Sequence, residues 1–108
     1  MGFDDTPRRI IHCNENGCPA CNDLISPSLH ACLCSHAEEN AIIQAAHHGV
    51  SAQDAILYTT ESPCLACTKI IINAGIKEIV FNQEHALAEM AYALLQQAEI
   101  SVKPKKFP

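Results

Sequence analysis

The chain has 108 residues, of which 48% are hydrophobic, and its formal net charge is −5 at pH 7. This length and composition suit a single globular domain with a modest core. No apolar run approaches the roughly 18 residues of a membrane span, and the N-terminus lacks the basic-then-apolar order of a signal peptide. The acidic balance argues against a polynucleotide as the main partner, because nucleic-acid binders usually carry a basic face, so a small substrate fits better.

The seven cysteines are a high count for a chain of this length. An odd number of cysteines in a chain without a signal sequence favours a reducing compartment and metal sites over disulfides. We therefore expect a cytoplasmic protein, with no membrane association, in which cysteines bind metal.

Residues 1–35 are predicted to form an irregular, cysteine-rich region with little apolar content of its own. Cys18 and Cys21 form a C-x-x-C pair, and a closed four-ligand zinc site would hold such a loop together. Buried free thiols that pack as small hydrophobic groups are the alternative. The predicted ligands of this structural zinc are Cys13, Cys18, Cys21 and Cys32, with Cys34 or His30 as substitutes.

Residues 36–103 are predicted to alternate helices and strands, which is typical of βαβ units with a largely parallel sheet. Ser62 suits the N-cap of the second helix, and Pro63 suits its first position. The third helix is amphipathic, with Met90 and Leu94 predicted to face the core. The predicted elements are a helix over Glu38–His48, a strand over Ala55–Thr59, a helix from Ser62 to Asn73, a strand over Glu78–Phe81, a helix over Glu84–Ala98, a strand over Glu99–Lys103 and a tail over residues 104–108.

Two short motifs carry the chemistry, H-x-E and, further along, P-C-x-x-C. The imidazole of His36 and the thiolates of Cys64 and Cys67 would be three protein ligands for zinc. They leave the fourth tetrahedral position open, which marks a catalytic site, and a water there has its pKa lowered to about 7. Glu38 lies close enough in sequence to move the protons of that water without binding the metal. A redox or accidental C-x-x-C with an unrelated histidine is the alternative.

The chain resembles the deoxycytidylate (dCMP) deaminase branch of the zinc-dependent cytidine deaminase superfamily, whose nucleobase deaminases carry H-x-E followed by P-C-x-x-C. The resemblance extends over nearly the whole chain. The segments that carry it are residues 6–9, 29–36, 36–42, 63–67, 71–76 and 79–81.

This resemblance implies a three-layer α/β/α cytidine-deaminase-like fold and the hydrolysis of dCMP to dUMP and ammonia. It implies the same zinc ligands and the same proton-shuttling role for Glu38. It also implies that Asn40 has a structural or substrate-proximal role. His85 falls close to where related enzymes often place an aromatic residue near the substrate.

Two features depart from the family pattern. The first helix and the first two strands of the fold would precede Met1, so we expect an N-terminally short version of the fold. The family's Gly-Tyr-Asn-Gly turn, whose Asn helps to bind the sugar, reads Gly-Phe-Asp-Asp here. Asp4 would therefore bring a negative charge near a phosphorylated substrate. Because a sheet of only three strands has an unpaired edge and bare apolar faces, we also expect a homo-oligomer.

The main hypothesis is a zinc-dependent hydrolase that acts on free dCMP. A zinc hydroxide would attack C4 of cytosine, and Glu38 would carry protons to N3 and to the leaving amine. One alternative is a truncated or degenerate deaminase domain that binds zinc without activity. Another is a nucleic-acid-editing deaminase of cytosine or adenine, which the acidic composition disfavours.

Overall fold

The computed structural model describes residues 1–5, 7–10, 12, 15, 34–85 and 88–106. Within these ranges the predicted alternation of helices and strands is confirmed. No helix in the described part of the chain is long and apolar enough to cross a membrane. The elements are α1 (Ala37–His47), β1 (Ile56–Glu61), α2 (Leu65–Ala74), β2 (Glu78–Gln83), α3 (Glu89–Gln97) and β3 (Ser101–Pro104).

The three strands form one parallel sheet in the order β1-β2-β3. Strand β3 runs one residue further than predicted, since Pro104 pairs with Phe81 and so does not belong to the tail. Both crossovers step in the same direction, so right-handed connections place α2 and α3 on one face of the sheet. Helix α2 contacts α1 on one side and α3 on the other. The predicted parallel α/β fold is confirmed, and the described residues supply two of its three predicted layers.

The hydrophobic core lies between the sheet and this row of helices. It centres on Ile71 of α2, Ile79 of β2 and Leu95 of α3, all of which are fully buried. Partly buried apolar side chains, including those of Leu57 and Val102, pack around these three from the outer strands. The core therefore ties both crossover helices to all three strands.

Strand β1 turns different side chains to the two faces of the sheet, because successive residues of a strand alternate. Thr59 is buried on the helical face. Ile56 and Tyr58 point to the opposite face and are 42% and 64% exposed. That face carries no helix among the described residues, so part of its apolar surface is open.

The second helix begins at Leu65, and its N-cap is Cys64 instead of the predicted Ser62. The backbone of Cys64 is extended, and its Sγ accepts a hydrogen bond from the amide of Cys67 at 3.5 Å. The hydroxyl of Ser62 instead accepts the amide N–H of His85 at 2.6 Å. Ser62 is a suitable capping residue by its side-chain chemistry, but its hydroxyl is bonded to the distant His85 and does not cap the helix.

The third helix begins at Glu89 and not at Glu84 as predicted. Strand β2 continues to Gln83, which pairs with Glu61 of β1, so the chain is still leaving the sheet where the helix was expected. Because the helix starts later, Met90 falls in its first turn and is 67% exposed, contrary to the core position predicted for it. The fully buried positions of α3 are Ala91 and Leu95.

Candidate active site

Three potential metal ligands converge where α1 and α2 begin. Nδ1 of His36 lies 3.4 Å from Sγ of Cys64 and 3.4 Å from Sγ of Cys67. His36 is the N-cap of α1, and Cys64 is the N-cap of α2. Two helix N-termini therefore meet here, and their positive dipole ends favour thiolates. The structure brings the three predicted ligands together.

This donor set fits a zinc ion. Tetrahedral zinc, with Zn–N near 2.0 Å and Zn–S near 2.3 Å, places nitrogen and sulfur roughly 3.6 Å apart. The observed separations of 3.4 Å are close to that edge length. Within the described part of the chain, His36, Cys64 and Cys67 are the group of side chains that could hold a metal ion.

The electrostatics of Cys67 also favour a bound cation. The residue is 1% exposed, and burial is the main reason that its pKa is raised. A hydrogen bond with Cys64 and the negative charge of Glu38 raise that pKa further. A thiolate at this position therefore needs a compensating positive charge, which zinc would supply.

Glu38 lies in the first turn of α1, and a side chain from β1 holds its carboxylate. Oγ1 of Thr59 donates a hydrogen bond to Oε1 of Glu38 at 2.7 Å. Glu38 also lines the same cleft as His36 and Cys64. The carboxylate and the metal ligands therefore face one space, as they must if Glu38 is to move protons at a metal-activated water.

The cleft above these residues has a volume of about 610 Å³, within the range of small-molecule sites. Asp4 and Glu61 add two carboxylates to its walls, and His85 adds an imidazole. These carboxylates and imidazoles suit a small substrate rich in hydrogen-bonding groups.

Asp4 and Asn40 attach the N-terminal segment to the start of α1. Oδ1 of Asp4 accepts the amide N–H of Ala37 at 2.5 Å. Nδ2 of Asn40 donates to the carbonyl of Phe3 at 2.6 Å and to that of Ser35 at 3.2 Å. Asp4 lines the cleft, but its charge is partly balanced by the helix N-terminus. Asn40 does not itself line the cleft, although Phe3, to which it donates, does, and both of its predicted roles stay predictions.

His85 lines the cleft, on the chain that leaves β2, and its predicted contact with the substrate stays a prediction. Its amide is bonded to Ser62, which is 2% exposed. Neither this contact of Ser62 nor a role for Thr59 was predicted from the sequence. A signal for Thr59 was available, because it is a polar residue two positions after Leu57 and therefore lies on the same face of the strand.

The predicted structural zinc site cannot be placed on the described part of the chain. Cys34 is described and is partly buried beside Ser35, whose backbone pairs with that of Asp5. The second site stays a prediction. The residues proposed for it that lie outside the described ranges are Cys13, Cys18, Cys21, Cys32 and His30.

A parallel α/β sheet whose helix N-termini bring one His, two Cys and one Glu together beside a single cleft is typical of the class of hydrolytic nucleobase deaminases. A family model described as MafB19-like deaminase matches residues 6–104, and the chain belongs to this family. The predicted membership of the deaminases is thereby confirmed.

Known relatives agree with this assignment. The chain is 42% identical over 106 residues to the deoxycytidylate deaminase of Saccharomyces cerevisiae, covering 98% of this chain and 34% of the relative. It is 41% identical over 104 residues to that of Schizosaccharomyces pombe, covering 94% and 32%. The chain thus spans about a third of the length of these two relatives.

A solved structure shares the fold as well. The dCMP deaminase from the cyanophage S-TIM5, crystallised in complex with dCMP and dUMP, superimposes with a TM-score of 0.78 and 28% sequence identity. The match covers 96% of this chain and 70% of the phage chain.

Proposed function

We propose that this chain catalyses the hydrolytic deamination of dCMP to dUMP and ammonia. The observation that carries the proposal is that Glu38 lines one cleft with His36 and Cys64, which form a possible metal site with the buried Cys67. The names of the fungal relatives and the ligands of the phage enzyme support the choice of substrate.

In this proposal His36, Cys64 and Cys67 hold zinc, which when bound lowers the pKa of the attacking water. Glu38 accepts a proton from that water and delivers it to N3 of cytosine as the water oxygen bonds to C4. The remaining proton passes through Glu38 to the exocyclic amine. The C4–N4 bond then breaks, and ammonia and the uracil carbonyl result.

We propose that His85 contacts the substrate, since it lines the cleft together with Glu38. Its imidazole offers ring nitrogens that can form hydrogen bonds with the polar groups of a nucleotide. Asp4 is a less suitable partner for a phosphate than His85, because its carboxylate is negatively charged. One oxygen of that carboxylate already accepts a hydrogen bond from the amide of Ala37.

We propose self-association through the outer part of the sheet. Strand β1 is an edge strand among the described residues, and unpaired edges readily pair with another chain. Ile56 and Tyr58 add exposed apolar surface beside that edge. Light scattering at micromolar concentration tests this, and a folded monomer with a cooperative melt would contradict it.

We propose a reducing, cytoplasmic location for this chemistry, in which Cys64 and Cys67 stay available as metal ligands. The structure joins neither of them in a disulfide. Zinc bound by both thiolates would also protect them from oxidation.

The deciding experiment is to incubate the zinc-loaded chain with dCMP and to follow the loss of cytosine absorbance. Steady production of dUMP and ammonia is the expected result. Cytidine, dCTP and single-stranded DNA serve as comparison substrates, so that turnover of the DNA alone would identify an editing enzyme. Full zinc content with no turnover of any substrate would instead indicate a degenerate domain.

A further inference from the structure

Thr59 connects the sheet to the proposed proton shuttle. It is 7% exposed on the helical face of β1, and its backbone is held by pairing with Phe81 of β2. Its Oγ1 lies 2.7 Å from Oε1 of Glu38 and 2.9 Å from the carbonyl oxygen of Glu61. The hydroxyl therefore has two acceptors for its one hydrogen.

The side chains on the two sides of this contact differ in stiffness. Glutamate has several rotatable bonds and loses considerable conformational freedom when one geometry is fixed. Threonine is β-branched and restricted at χ1, so Thr59 can serve as a rigid reference for the mobile carboxylate of Glu38. Because the carboxylate is charged, the hydrogen bond is of the stronger, charge-assisted kind.

We propose that Thr59 is a positioning residue that holds the carboxylate of Glu38 in the orientation required for proton transfer. The inference rests on the proposed function. The inference gives a role in that function to Thr59 of β1, which contacts Glu38 and is not one of the metal ligands.

The test compares Thr59→Val, which removes the hydroxyl at nearly constant volume, with Thr59→Ser, which keeps it. We expect Thr59→Val to lower kcat for dCMP roughly 10- to 100-fold, as for loss of one hydrogen bond to a charged group, with KM and zinc content close to wild type. Thr59→Ser should restore most of kcat. Tyr92→Phe, which removes a hydroxyl from α3 outside the cleft lining, is the matched control and should be unaffected.

A double-mutant comparison separates positioning from general stability. In the Glu38→Gln background, Thr59→Val should cause no further loss of the residual kcat, whereas a purely structural effect would add to it. If valine lowers the melting temperature or zinc content, Thr59→Ala and Thr59→Ser provide the same comparison without a branched replacement.

The outcomes distinguish the inference from the function on which it depends. An active wild-type chain whose Thr59→Val variant has unchanged kcat overturns the inference and leaves the proposed function intact. Equal additional losses in the wild-type and Glu38→Gln backgrounds overturn it as well. A zinc-loaded wild-type chain without turnover overturns the proposed function, and the positioning role then falls with it.

Discussion

In the proposed reaction, Glu38 is the residue that moves protons, and it lines the cleft together with His36 and Cys64. We expect Glu38→Gln to retain zinc and to lower kcat by a factor of roughly 10² to 10⁴, because an amide of the same shape cannot accept the proton. Steady-state kinetics and elemental analysis of the same preparation check this. Glu39→Gln, which alters the neighbouring carboxylate that accepts the His36 amide, is the control. An unchanged rate in Glu38→Gln would assign the proton transfer to another group.

His85 is expected to act on binding instead of chemistry. Because it lines the cleft but has no role in the proposed proton transfers, His85→Ala should raise KM for dCMP several-fold and change kcat little. His48→Ala, at the end of α1, is the matched control. Equal KM values in all three proteins would show that the His85 imidazole does not touch the substrate.

At the level of elements, the N-terminal segment fits against α1 because residue 2 is glycine. A Cβ at Gly2 would collide with the carbonyl oxygen of Ala37 and the backbone nitrogen of Ala41. These are backbone atoms of a helix and cannot move aside cheaply. We expect Gly2→Ala to displace the segment that forms one wall of the cleft and to raise KM more than it lowers the melting temperature.

Gly49 provides the control for this substitution. Its φ of 73° lies in the left-handed region, but a Cβ there would meet no other atom within 4 Å. Gly49→Ala should therefore reduce stability by about 1 kcal/mol, through backbone strain alone, and leave KM unchanged. Urea unfolding and dCMP kinetics on both variants make the comparison, and similar effects of the two on KM would contradict it.

The pairing of β2 and β3 is reinforced by Glu78 and Lys103, whose side chains meet at 2.8 Å. The hydrogen bond from Lys103 lowers the pKa of Glu78. A lowered carboxyl pKa stabilises the fold above the unfolded pKa of about 4.3, and this contribution is lost as pH falls through the lower folded value. Glu78→Gln should thus be slightly less stable than wild type at pH 7, and the difference should disappear as the pH falls below the lowered folded pKa of Glu78. A difference that persists at low pH would point to packing instead.

For the whole molecule, metal content and stability are expected to change together. The His36 site and the predicted cysteine-rich site should give about two zinc ions per chain, because each offers a separate donor set. Elemental analysis of His36→Ala and Cys18→Ser should show the loss of one ion from each. Chelation should lower the melting temperature, since zinc stabilises the state that binds it. A wild-type value near one would remove the structural site.

The elements and the metal ligands could be predicted from short stretches of sequence. Helical spacing in α1 and the apolar runs of β1 and β2 are local patterns, so their existence and order follow without knowledge of the packing. The pairing of one His with two Cys and a nearby Glu is likewise informative in itself, because few other chemistries use this donor set. Element boundaries were less accurate where a distant contact determined them, as Ser62 and Gln83 show.

The sequence by itself therefore determined the parallel α/β class, the deaminase family and the residues that can bind zinc. Only the tertiary structure decided that Thr59 holds Glu38 across a separation of 21 residues, and that Asp4 and Asn40 fasten the N-terminal segment to α1. The physical reason is that periodicity and side-chain chemistry are local properties. The contact between a buried hydroxyl and a carboxylate depends on the position of α1 relative to β1. The packing of the assembled core sets that position.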